Sequence, residues 1–126
     1  MRLVTLAAAG LLLVPAAASA QSMNAEEFHR RATALQKKGP MALFSRGEIK
    51  VLMKEATESG KRVKEQRLAT VKAGGKPRYC PPATTGGMGS TEFMQRLGAI
   101  PQAERARINM TEATTRILAT KFPCRA

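Results

Sequence analysis

The sequence predicts an all-α fold: a small single-domain helical bundle of four or five helices tied by one disulfide. Three observations lead there. Apolar residues recur at helical spacing along several segments, and no segment sustains the two-residue alternation of a half-buried strand. Capping residues stand at the starts of those segments, and Gly or Pro at their ends. Two cysteines, Cys80 and Cys124, bracket the C-terminal third, and they are the chain's whole complement.

The first twenty residues read as a signal peptide. Arg2 gives a basic start, residues 3–14 are an apolar run without a charge, Pro15 breaks it, and Ala18-Ser19-Ala20 is a small-x-small cleavage site. A bilayer-spanning helix needs about 20 apolar residues, so this run is too short for an anchor, and none is expected after processing. The expected organisation is therefore a cleaved leader, 1–20, and one periplasmic domain, 21–126. Export gives the thiols their meaning: in an oxidising compartment two cysteines pair, rather than bind metal or act as nucleophiles. Closing a loop of that length stabilises a fold by roughly 4 kcal/mol in the chain-entropy model.

The elements follow in order. Asn24 can cap a first helix, with Glu27 at the capping-box position and Met23 on Phe28 as a staple. Phe28, Ala32 and Leu35 share a face, and Lys37-Lys38-Gly39-Pro40 ends the helix near 38. His29, the one histidine, has no Cys or carboxylate partner in the pattern and reads as partly exposed surface. Met41-Ala42-Leu43-Phe44 is a short apolar bridge. Ser45 with Glu48, and Phe44 with Ile49 as staple, give the best-defined helix start. Ile49, Leu52, Met53, Ala56, Gly60, Val63 and Val71 hold one face of this second helix to about residue 73, a length of roughly 40 Å. Gly60, on that face, is expected to admit a neighbouring helix closely.

Gly74-Gly75-Lys76-Pro77 breaks the long helix, and Pro81-Pro82 extends the chain after Tyr79-Cys80. Residues 83–89 form an uncharged glycine-rich loop whose spacing fits no phosphate-binding fingerprint. Ser90 or Thr91 caps a helix carrying Phe93, Met94 and Leu97, which stops near Gly98. Pro101 starts a turn or short helix, and Asn109 with Glu112 caps the last helix, which buries Ala113, Ile117 and Leu118. Phe122-Pro123 ends it beside Cys124.

Over residues 79–124, the Tyr79-Cys80 opening, the Met88-x-x-x-Glu92-Phe93 helix start, the Ile100-Pro101 turn, the Ala-containing terminal helix and the closing Phe122-Pro123-Cys124 resemble the Rap/Tai family. That family comprises periplasmic immunity proteins against type VI secretion amidase effectors. The resemblance implies a small all-helical protein, often a homodimer, that binds an exported peptidoglycan amidase and blocks its active-site groove. It does not extend to the N-terminal half.

The residues themselves argue against catalysis. A hydrolase needs a nucleophile with a base, paired carboxylates, or a metal. This chain has one His and no Asp, and the helix dipole accounts for the adjacent Glu26-Glu27. No catalytic residue, metal or cofactor is expected. Without Arg2, 20 Lys and Arg stand against 9 Glu, a net charge of +11. Outside the cytoplasm such a cation meets anionic lipid, cell-wall polymer or an acidic protein, not nucleic acid. Two partner-binding candidates follow. One is the basic set Lys61, Arg62 and Lys64 on the long helix, suited to steering an acidic protein. The other is the loop with Thr84, Thr85, Gly86, Gly87 and Met88, held at its root by the cysteines and so ordered at lower entropic cost on docking. A different class, a general envelope-binding or acid-stress chaperone-like helical protein, would use exposed apolar surface and titrating groups, here one His and nine Glu.

Protein recovered from the periplasm should begin at Gln21 and lack two thiol protons. Intact mass before and after reduction with alkylation checks both, and free thiols in the native sample would remove the pairing.

Overall fold

Asn24 opens the fold as the capping pattern requires. Its Oδ1 accepts the N–H groups of Glu26 and Glu27 at 3.0 and 3.1 Å, satisfying two donors at the start of α1 (Ala25–Lys37). The computed structural model describes residues 22–83 and 87–125. The expected leader, 1–20, lies outside the described residues, as do Thr84, Thr85 and Gly86 of the loop.

Gly39, at φ +53°, takes the left-handed conformation that turns the chain out of α1. A 3-10 turn (Gly39–Phe44) leads into the long α2 (Arg46–Lys72). Then come α3 (Ser90–Ala99), the single-turn α4 (Gln102–Arg105) and α5 (Met110–Lys121). The fold is all-α with one disulfide, five α-helices and a 3-10 turn.

The starts of α1 and α5 lie side by side, because the residues flanking the two asparagine caps pair as an isolated antiparallel bridge. Ala25 N–H donates to the Ile108 carbonyl at 2.9 Å and Met110 N–H to that of Met23 at 2.7 Å, while Asn24 Nδ2 reaches the Ala106 carbonyl at 2.9 Å. From this anchor α5 runs through the interior. Met110, Ala113 and Ile117 join Ala25 and Phe28 of α1, Leu52 of α2 and Leu97 of α3 in the core. The Phe28 and Phe93 rings meet edge to face at 6.2 Å. Each large apolar side chain so buried stabilises the fold by about 1.5–3 kcal/mol.

A polar knot joins α2, α5 and the residues before α1. Glu55 accepts from Ser22 Oγ at 3.1 Å, Met23 N–H at 2.7 Å, Ser59 Oγ at 3.3 Å and Arg62 Nη2 at 3.5 Å. Ser22 Oγ accepts in turn from the N–H of Thr111, in the first turn of α5, at 2.9 Å. Arg62 Nε donates to Thr111 Oγ1 at 3.1 Å.

At the other end, Cys80 and Cys124 are bonded, with Cα atoms 4.9 Å apart, and Cys80 N–H donates to the Phe122 carbonyl at 2.8 Å. The end of α5 is thus stapled to the segment before α3. Beside the staple, Arg78 forks onto Glu112 at 2.6 and 2.8 Å, and this bond holds the Glu112 carboxyl below its usual range. Tyr79 is buried under the Arg67 guanidinium, 5.4 Å from the ring centre.

Four sequence expectations are corrected, the first being that Ser90 or Thr91 caps α3: Gly89 is the N-cap and no side chain bonds there. Helix α2 begins at the expected place, but Ser45 forms no side-chain cap; its Oγ accepts from Lys38 Nζ at 3.1 Å. Glu48, expected to close the capping box, is gripped by the Arg31 fork at 2.6 and 2.7 Å, a charge-assisted bidentate bond stronger than one to a neutral amide. Phe44 does not staple onto Ile49, since it stands 83% exposed. Nor does Gly60 admit a close helix: a Cβ added there would meet nothing within 4 Å.

Glu55→Ala should lower stability by about 2–3 kcal/mol, because it leaves a backbone N–H, two hydroxyls and a guanidinium without their acceptor. Urea unfolding followed by circular dichroism checks this, and a change under about 0.5 kcal/mol, the size of an ordinary surface substitution, would show the knot to be incidental.

Candidate functional site

The open space at Gly60 belongs to a groove. Helix α2 contributes Ile49, Leu52, Met53, Ala56, Thr57 and Gly60 along one wall, with Phe28, Ala32 and Leu35 of α1 and Phe93 and Met94 of α3 also lining it. Met88, in the lead-in to α3, and Thr114, Ile117 and Leu118 of α5 complete the lining. The volume is about 580 Å³, within the range of small-molecule and peptide sites. The walls come from α1, α2, α3 and α5, and Gly60 adds no side chain to the space between them. Met53, 60% exposed, stands at its mouth. Thr114 Oγ1 is buried there without a hydrogen-bond partner.

One edge of the groove is cationic. Lys50, Lys54, Lys61 and Lys64 follow one another at three- and four-residue steps, in a helical stripe that includes the groove residue Thr57. All four are exposed, and of these only Lys54 has an ion pair among the described residues, with Glu58 at 3.9 Å.

The sequence candidates separate in space. Lys61 and Lys64 are exposed on that edge, whereas Arg62 turns inward to Thr111, to Glu55 and, at 3.3 Å, to Ser59 Oγ. The basic triplet is therefore two surface lysines and one structural arginine, since consecutive helical positions differ by 100° in direction. In the loop, Gly87 is exposed, but Met88 is half-buried against the core and within the groove lining. Met88 is thus packed against the core and not extended into solvent. Thr84, Thr85 and Gly86 lie outside the described residues.

A second, shallower basin of about 400 Å³ lies by α1 and α4, where Arg30, Lys37 and Gln102 surround His29. Its base is the buried Arg105, which donates to Glu26 Oε2 at 2.6 Å and to the carbonyls of Gly98 and Ile100. Burial, and then the Arg105 charge, hold the His29 imidazole below its ordinary pKa, so the neutral ring is favoured. Among the described residues no group of three His, Cys, Asp or Glu could hold a metal ion, and no helix is long and apolar enough to cross a membrane.

Sequence reasoning missed the groove, whose walls come from residues up to 90 positions apart, from Phe28 to Leu118. It also missed the exposure of Met41, Leu43 and Phe44, for which the one available signal was an apolar run too short to form a buried helix.

Fold and site together define a small all-α protein with a single disulfide and an open apolar groove beside a stripe of exposed lysines on α2. No family model, curated protein or solved structure matches the chain.

Lys61→Gln combined with Lys64→Gln should leave the unfolding midpoint unchanged, whereas Arg62→Gln should cost about 1–3 kcal/mol. Thermal melts of both variants read the difference directly; the reverse order would mean that the lysines are structural and the arginine is not.

Proposed function

We propose that the chain is an exported, non-enzymatic binding protein of the immunity kind that its C-terminal segment resembles. It neutralises a peptidoglycan amidase delivered by type VI secretion by occluding the enzyme's active site. The observation that carries this reading is the groove: an open apolar channel edged by lysines offers both buried area and steering charge to an acidic protein surface. The disulfide and the Arg78–Glu112 fork support it by holding the loop root and α5 in one arrangement, which lowers the entropy lost on docking. A second reading, a general basic periplasmic envelope-binding or acid-stress chaperone-like protein, is favoured by one feature, the exposed apolar turn before α2.

The test is peptidoglycan hydrolysis by the secreted Cys-His amidase encoded nearest to this chain, with and without an equimolar amount of the purified protein. Hydrolysis should stop, and Met53→Lys, which places a charge at the groove mouth, should weaken inhibition about tenfold or more while the helices survive. Full hydrolysis in the presence of excess protein would overturn the immunity reading.

A further inference from the structure

The 3-10 turn carries the most exposed apolar side chains of the described residues. Met41, Leu43 and Phe44 are 63, 69 and 83% exposed, although a folded surface ordinarily presents such residues singly. The turn is also built to hold them out. Gly39 reverses the chain at positive φ, Pro40 fixes the first step, and Ala42 is the half-buried residue between them. Met41 N–H donates to the Lys38 carbonyl at 3.1 Å, Ser45 N–H to that of Ala42 at 2.8 Å, and Lys38 Nζ to Ser45 Oγ at 3.1 Å.

Cations surround this apolar tip. Lys37 and Lys38 close α1, Arg46 and Lys50 lie in the opening turns of α2, and all four are exposed with no ion pair among the described residues. The neighbouring carboxylate, Glu48, is already taken by Arg31. Arg46 sits at the positive end of the α2 dipole, where a cation is disfavoured, so helix stability does not account for it. A second copy of the chain would bring the same cations against each other. A protein partner has the groove, whereas Met41, Leu43 and Phe44 line neither that groove nor the basin by α4.

An apolar wedge ringed by Lys and Arg matches the chemistry of an anionic bilayer surface, with hydrocarbon below the headgroups and phosphates at their level. We propose that the turn (Gly39–Phe44) docks this protein on an anionic phospholipid membrane, with Leu43 and Phe44 entering the headgroup boundary and Lys37, Lys38, Arg46 and Lys50 facing the phosphates. This rests on the exported, envelope-facing reading and adds a surface that adjoins the groove at Lys50.

The experiment is co-sedimentation of the purified exported protein with vesicles of phosphatidylglycerol and phosphatidylethanolamine, against vesicles of phosphatidylcholine alone. Binding to the anionic vesicles should be about tenfold tighter or more, and should weaken as salt rises. Leu43→Ser with Phe44→Ser should lower it about tenfold, as should Lys37→Gln with Lys38→Gln and Arg46→Gln, while Lys61→Gln with Lys64→Gln leaves it unchanged. The chain has no tryptophan, so Phe44→Trp supplies a single reporter whose emission should shift to the blue on anionic vesicles, independent of the fate of the serine variant. Three outcomes would overturn the proposal: no preference for anionic lipid, an equal loss with the Lys61 and Lys64 changes, or a solution dimer that Phe44→Ser dissolves. Amidase inhibition is measured without membranes, so failure there and failure here are read separately.

Discussion

The carboxylate of Glu55 is the point at which distant parts of the chain become one structure. Ser22 and Met23 come to it from before α1, Ser59 and Arg62 from its own helix, and Thr111 from the first turn of α5 through Ser22 and Arg62. A half-buried carboxylate must find donors or lose its solvation uncompensated, so each donor that reaches Glu55 fixes the element carrying it. The adjoining bridge between the segments of Asn24 and Asn109 then sets α1 beside α5. With both starts fixed, the apolar faces have little freedom in how they meet.

Helix α5 is held at its other end by a different chemistry. The Cys80–Cys124 bond and the contact of Lys121 Nζ with Glu92 at 2.8 Å tie its last turns to the segments around α3, while the Arg78–Glu112 fork ties its first turn to the segment before Cys80. A polar knot at one end and a covalent staple at the other leave the middle of α5 to pack: Ala113 and Ile117 join the core, and Ile117 also lines the groove.

The basic charge divides into two populations with different roles. Arginine supplies most of the ion pairs: Arg31, Arg62, Arg78, Arg96, Arg105 and Arg116 each bind a glutamate, because a planar fork matches a carboxylate and is only weakly hydrated. Lysine, a strongly hydrated point charge, stays mostly in solvent, along the groove edge and around the exposed turn. The net charge of +12 therefore overstates diffuse basicity: the exposed charge gathers along two lysine-rich margins, each beside an apolar surface.

Much of the fold was legible because it is local. Asn24 and Asn109 cap as their spacing implies, Gly39 turns the chain after α1, and Cys80 pairs with Cys124. Where local and long-range bonding competed, the sequence misled. Ser45 and Glu48 have the spacing of a capping box, but Arg31, seventeen residues away from Glu48, offers a stronger bond. Arg62 looks like its neighbours Lys61 and Lys64 until Glu55 and Thr111 are placed beside it. By itself the sequence determined where helices start and stop and which faces are apolar, since these follow from backbone sterics and periodicity within a few residues. The tertiary structure alone decided which charges are spent internally, that Gly60 opens a groove rather than closing a contact, and that Met41, Leu43 and Phe44 face outward. Each of those depends on which residues from elsewhere in the chain occupy the neighbouring space in the folded state.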